Sequence, residues 1–151
     1  MNDDLLKVNN LSIHFGSHDD PVKAVNDVSF EVKRGETVVL VGESGSGKSI
    51  SALSILRLLP HAAHIAGGSI TLGDTNILSI PESQMRDVRG SRVGMIFQEP
   101  QSSLNPVVTI GKQIGEVLKR HKGLSGTAQS KRVVALLTSV GIPEPERRQH
   151  E

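Results

Sequence analysis

The run Gly42-Glu43-Ser44-Gly45-Ser46-Gly47-Lys48-Ser49 fits the pattern G-x-x-x-x-G-K-[ST] at every position. Residues of these types at this spacing suit one chemistry, the grip on a polyphosphate. The glycines let the backbone curl until its N–H groups point inward at phosphate oxygens. Lys48 brings a point charge to the β- and γ-phosphates, and the Ser49 hydroxyl suits Mg²⁺. Such a loop needs a strand to deliver it and a helix whose N-terminal dipole favours anions. Both are legible: Thr37-Val38-Val39-Leu40-Val41 reads as the strand, and Ile50 to Leu59 as the helix. A chance glycine-rich turn is the competing reading, and a complete eight-residue motif between a strand and a helix outweighs it. The loop implies a nucleoside triphosphate site built from Gly42, Glu43, Ser44, Gly45, Ser46, Gly47, Lys48 and Ser49.

Composition narrows the classes around that loop. A chain of 151 residues is long enough for one ordinary domain with a core. Its three aromatics, Phe15, Phe30 and Phe97, are too few for a base-stacking surface on single-stranded nucleic acid. The formal net charge of +1 gives no strong steering toward nucleic acid or anionic lipid. With no cysteine, disulfides and thiolate metal sites are excluded. Met1-Asn2-Asp3-Asp4 is acidic rather than signal-like, and no apolar run approaches the length that spans a bilayer, so direct membrane insertion is not expected.

Along the chain, Leu5 to Phe15 and Val22 to Val32 alternate as strands, separated by a loop signal at Gly16 to Pro21. Lys33-Arg34-Gly35-Glu36 is a tight turn into the strand at 37–41, whose unbroken apolar run suits burial on both faces. The helix after the phosphate loop is apolar nearly all round and is stopped by Pro60. Gly67 to Gly73 reads as a short strand or hairpin arm, Pro81 to Arg89 as a short helix, and Val93 to Phe97 as a core strand. Two amphipathic helices follow. One carries Ile110, Ile114, Val117 and Leu118; the other carries Val133, Leu136, Leu137 and Val140 and ends at Gly141. Residues 142–151 have no apolar stripe and read as a linker tail.

Taken with the strand pair and the phosphate loop, Met95-Ile96-Phe97-Gln98-Glu99-Pro100 and Ser103-Leu104-Asn105-Pro106 resemble the ATP-binding subunits of bacterial ABC transporters, most closely the di- and oligopeptide import branch. The resemblance runs from the first strand to Pro145-Glu146-Arg147-Arg148. It implies an α/β fold of the P-loop NTPase kind with ATP and Mg²⁺ as cofactors. The parts implied are N-terminal antiparallel strands, the phosphate-loop strand and helix, a Q-loop strand and a helical subdomain. By the same resemblance residues 1–104 form the N-terminal part of the ATPase core, and 105–141 the helical subdomain. Gln98 is similar to the family's Q-loop glutamine, which joins Ser49 at Mg²⁺ and the attacking water. A neutral amide there ligates without adding charge beside phosphates. Phe15 resembles the family's adenine-stacking residue, where Tyr is more usual, with Val22-Lys23-Ala24-Val25 as the opposing wall. An ordinary core phenylalanine is the alternative for Phe15.

The family's signature sequence, its strand ending in Asp-Glu and its switch histidine do not occur among these residues. Leu124-Ser125-Gly126-Thr127-Ala128-Gln129 imitates the signature but stands too soon after Gln98. It reads instead as a helix-to-helix turn, with Ser125 or Thr127 capping the next helix. Glu144, Glu146 and Glu151 sit in a polar tail unsuited to a general base. The expectation is the N-terminal part of an ABC ATPase, as a fragment, a truncated product or a decayed gene. It would energise a peptide importer beside transmembrane permease subunits and a second ATP-binding domain, peripheral to the cytoplasmic face of the inner membrane. A non-hydrolysing ATP-binding or permease-docking remnant is the alternative. A DNA-repair ATPase is disfavoured by the absence of zinc-type cysteines, long heptads and a basic surface. His61-Ala62-Ala63-His64 reads as a loop without a third metal ligand. Lys119-Arg120-His121-Lys122 reads as a solvated helix end. The Gly111/Gly115 spacing lies in too polar a helix for a membrane.

Overall fold

A computed structural model describes residues 4–17, 20–98 and 103–151, with Asp4 described in its backbone only. These residues fall into two compact units, Met1–Met85 and Arg86–Glu151.

The first unit is built on an antiparallel sheet of order β2-β1-β3-β4, formed by β1 (Asp4–Phe15), β2 (Val22–Lys33), β3 (Ala63–Leu72) and β4 (Thr75–Asn76). The alternation in β1 sends Val8, Leu11 and Ile13 inward, where they meet Val25, Ile70, Leu72 and Ile77 as a buried apolar layer. The β1 ladder slips on both sides between Val8 and Ser12, a bulge centred on Asn9 and Asn10. The sheet closes over that bulge at Gly68, where a Cβ would stand 2.5 Å from the Asn9 carbonyl oxygen. β3 begins four residues earlier than its glycine-rich pattern suggested. His64 therefore lies in a strand rather than the expected loop, paired with His14 and touching its ring edge-on at 6.0 Å.

Two expected strands do not pair. Residues 37–41 and 93–97 join no ladder of the sheet, apart from an isolated bridge between Arg89 and Val93. The composition suits a strand covered on both faces, but a strand exists only through its neighbours, and among the described residues neither run is paired beyond that one parallel bridge. Val39 and Val41 are accordingly 73% and 90% exposed, and Ile96 is 93% exposed, instead of buried.

Helix α1 (Lys48–Ile55) ends at Leu56, short of Pro60. Its buried positions are Ser51 and Ser54, joined by Leu56 at its C-cap, while Leu53 is half-buried. The Ser54 hydroxyl donates to the Ser51 carbonyl at 2.6 Å, so the burial leaves it satisfied.

The second unit holds α2 (Glu82–Ser91, shared with the end of the first unit), α3 (Ile110–Lys122), α4 (Gly126–Ser139) and α5 (Pro145–Arg148). Leu118, Val133 and Leu137 form its core, with Ile110, Ile114, Leu124 and Leu136 packed around them. Gly141 follows α4 at φ 76°, as a C′ glycine should. The tail departs from the linker expected of it. Its last turn docks through the backbone, the Ile110 and Gly111 N–H groups donating to the carbonyls of Glu151 (2.9 Å) and Gln149 (2.8 Å). An apolar stripe is not needed where main-chain hydrogen bonds do the holding.

Candidate functional site

β1 and β2 meet at a hairpin end where Phe15 pairs with Val22, and on its other side with Ala63. The phosphate loop comes up beside that end. Gly45 and Gly47 take φ of 82° and 88°, values that L side chains avoid, which lets the chain reverse twice before α1 starts. At Gly47 the requirement is doubled by contact, because a Cβ there would lie 2.6 Å from the Ala24 carbonyl and 3.0 Å from Val25 Cγ2. A Cβ on Gly42 would similarly lie 2.7 Å from Ser46 Oγ. Gly47 is therefore fixed by close approach to the backbone of β2, whereas a Cβ on Gly42 would meet a serine hydroxyl that can rotate away.

Lys48 folds across the loop mouth. Its Nζ donates to the carbonyls of Gly42 (2.8 Å) and Glu43 (2.7 Å) and to Ser46 Oγ (3.1 Å). The Ser46 amide closes the turn on the Glu43 carbonyl at 3.2 Å. Helix α1 starts with no side-chain cap and no acidic residue in its first turn. An uncapped N-terminus presents free amides and the positive end of the dipole, so these residues fit a phosphate group well. Ser49, the second helical residue, offers the hydroxyl that a hard cation prefers.

One cavity of about 220 Å³ is lined by Phe15, Ala24 and residues 45–50. The structure thus brings the expected base platform, one wall residue and the second half of the phosphate loop into a single space. Val22 and Lys23 are exposed at the hairpin end, and Val25 is turned into the core. Gln98 belongs to the second unit and is exposed. Glu99 to Ser102 lie outside the described residues, as do His18 and Asp19 in the hairpin loop. The second half of the motif is described: Asn105 is bound on both its N–H and its carbonyl by the Gln113 side chain.

The decoy at 124–129 behaves as a connection between helices. Ser125 stands at the N-cap of α4, yet neither it nor Thr127 makes the expected capping bond. Gln129 instead reaches back to the carbonyls of Gly115 (2.6 Å) and Leu124 (3.4 Å). Gly115 is a contact glycine, where a Cβ would lie 3.1 Å from the Gln129 amide carbon. That explains its place in a polar helix. Among the described residues no group of three or more His, Cys, Asp or Glu side chains could hold a metal, and no helix is long and apolar enough to cross a membrane. Sequence reading missed Ala24 as the partner that dictates glycine at 47, and missed the bonds that Gln113, Gln129 and Gln149 make. None of these carries a periodic or motif signal.

Comparison with known proteins gives a consistent result. The family model described as ABC transporter matches residues 25–151. The chain is 45% identical over 144 residues to the dipeptide transport ATP-binding protein DppD of Haemophilus influenzae, covering 95% of this chain and 44% of that protein. It is 44% identical over 145 residues to the oligopeptide transport ATP-binding protein OppD of Bacillus subtilis, covering 95% and 40%. The chain therefore spans less than half the length of these relatives. Among solved structures it resembles the dimeric structure of a bacterial ABC transporter cassette, with a TM-score of 0.79 at 23% identity over 97% of this chain and 60% of that one. A post-hydrolysis state of a dimeric ATP-binding cassette bound to ADP and Pi gives a TM-score of 0.78 at 24% identity, covering 97% and 61%. At such identity these two likenesses concern the fold alone.

Proposed function

The chain belongs to the ABC transporter family, and from that premise we propose that it is the ATP-binding, energy-coupling part of a bacterial peptide importer. The observation that carries the reading is the shared cavity of Phe15, Ala24 and residues 45–50. An aromatic ring at one side and an amide-rich loop with a lysine at the other match a nucleotide's two ends, a flat base and a polyphosphate. ATP would lie with its base toward Phe15 and its phosphates in Gly42 to Ser49, with the Ser49 hydroxyl on Mg²⁺. The cargo is assigned from the names of the relatives, which are dipeptide and oligopeptide transport proteins. The partners are transmembrane permease subunits and a second ATP-binding domain. Placement is peripheral, at the cytoplasmic face of the inner membrane. Residues 105–141 are the helical subdomain, with Gln98 and the loop behind it facing the permease.

A second reading concerns these 151 residues by themselves: they hold ATP without turning it over. Attack by water needs a base held at the γ-phosphate. Two of the three tail carboxylates are otherwise engaged, Glu144 with Arg147 at 2.7 Å and Glu151 with Arg148 at 2.6 Å and Arg147 at 3.2 Å. Titration of the purified chain with ATP and Mg²⁺, followed by a phosphate-release assay, tests both readings. Saturable binding that is lost in Lys48→Ala is expected, with no release above background. Binding that survives that substitution unchanged sinks the first reading, and measurable turnover sinks the second.

A further inference from the structure

We propose that Gly111 and Gln113 are positioning residues that tie the loop following Gln98 to the docked turn at 145–151, so that a displacement of either is delivered to the other through the first turns of α3. Gln113 commits its whole amide to the loop. Its Nε2 donates to the carbonyls of Asn105 (3.0 Å) and Val108 (2.6 Å), and its Oε1 accepts the Asn105 N–H (2.9 Å). An amide that both donates to and accepts from one backbone residue has a single orientation open to it. The Val108 N–H in turn donates to the Asn105 carbonyl at 3.2 Å, and the Val107 N–H to Asn105 Oδ1 at 3.0 Å.

The same helical turn holds the tail from its other side. Thr109 makes no side-chain cap, and the N–H groups of Ile110 and Gly111 are taken by the carbonyls of Glu151 and Gln149. Position 111 has to be glycine for this, since a Cβ would stand 2.6 Å from the Gln149 carbonyl oxygen and 3.2 Å from its Cβ. Gln149 is itself anchored, its Oε1 accepting from Ser130 Oγ at 3.0 Å and its Nε2 donating to the Glu146 carbonyl at 3.1 Å. From α4, Gln129 grips the Gly115 carbonyl at 2.6 Å. Three glutamines thus fasten a loop, a neighbouring helix and a tail to one short piece of backbone. Contacts that share a rigid element and have two discrete arrangements are what carry coupling between sites. The functional weight of the linkage rests on the proposed reading, in which the loop after Gln98 meets a permease; the linkage itself does not.

Site-resolved amide exchange on the 151-residue chain tests it. In Gly111→Ala the new methyl must displace the Gln149 carbonyl. Exchange at positions 110 and 111 should rise by about tenfold, the loss of one ordinary hydrogen bond, and exchange at Asn105 and Val108 should rise in step. Gln113→Ala, which disturbs the tail at no point of contact, should produce the reciprocal rise at Ile110 and Gly111. Gln113→Glu keeps the acceptor for the Asn105 N–H and loses both donors, so Asn105 should stay protected while the Val108 N–H, whose acceptor is the Asn105 carbonyl that Nε2 had held, exchanges faster. Exchange at Leu118 and Val133 reports that the unit remains folded. Changes confined to 149–151 and 110–111 in the first variant, or to 105–108 in the second, overturn the proposal. Failure of ATP to bind, with this reciprocity intact, would count against the proposed function and leave the linkage standing.

Discussion

Gly47 and Ala24 touch through their backbones: a methyl group on Gly47 would lie 2.6 Å from the Ala24 carbonyl oxygen. Strand β2 and the phosphate loop are therefore registered against each other without any side chain between them. Gly47→Ala meets both that carbonyl and the cost of φ at 88°, whereas Gly45→Ala meets only the cost of φ at 82°, with nothing within 4 Å. The second should cost about 1–2 kcal/mol of stability and the first clearly more, with nucleotide binding abolished. Urea unfolding and ATP titration of both variants decide this. Equal behaviour would mean that the close approach is not what fixes position 47.

Lys48 holds three acceptors of its own loop, all on the exposed side. Lys48→Ala should therefore leave the unfolding midpoint nearly unchanged while ATP affinity falls by at least about tenfold, one charge-assisted contact. Lys48→Arg should not rescue it, because a planar fork cannot replace a compact ammonium among two carbonyls and a hydroxyl. A variant that binds ATP normally would remove Lys48 from the site.

Phe15 shares its cavity with the loop at the end of β1. Phe15→Ala should weaken ATP binding by about 1–3 kcal/mol, the worth of one stacked base. Binding of inorganic triphosphate, which has no base, should be unaffected, and Phe15→Tyr should restore ATP. Equal losses for both ligands would show Phe15 acting as core rather than platform.

Ile13 is fully buried and Val41 is 90% exposed. Ile13→Ala should cost about 2–5 kcal/mol, and Val41→Ser less than about 0.5 kcal/mol. A large loss at Val41 in denaturant melts would mean that residues 37–41 are packed in solution.

The Glu151 carboxyl lies below the usual carboxylate range, chiefly because Arg148 donates a hydrogen bond to it, with the charges of Arg148 and Arg147 adding. A depressed folded-state value stabilises above the unfolded carboxylate's range, and that contribution is lost as pH falls through the folded value. After correction for intrinsic rates, amide exchange at Ile110 and Gly111 should accelerate below about pH 4. Glu151→Gln should lose most of that dependence; an unchanged pH profile in this variant would separate the ion pairs from the docking.

Much of the site was legible because its signals are local. The phosphate-loop motif, the alternation of β1 and β2 and the stripes of α3 and α4 are short-range patterns, and each element formed where its pattern lies. What escaped was set by partners distant in sequence. Thr37 to Val41 has a strand's composition, but pairing is decided by a neighbour that composition does not name. The buried face of α1 combines Ser51 and Ser54 with Leu56 at its end, while Leu53 is only half-buried, and the Ser54 hydroxyl is satisfied by its own helix. The docked tail was missed for the same kind of reason, since carbonyls of any residue type make that contact.

Strand β1 is bonded on one flank to β2, its neighbour in sequence, and on the other to β3, with Leu6 opposite Leu72. The stretch closed by that second pairing contains β2, the phosphate loop and α1. Long-range closure is the slow event in folding, since chain entropy is surrendered before the contacts return it. Ala24 is in place early, as part of a hairpin, but the loop pressed against it is shaped only when the far strand arrives. During refolding, capacity to bind nucleotide should therefore emerge with the final sheet signal in circular dichroism, trailing the hairpin and the helices of the second unit.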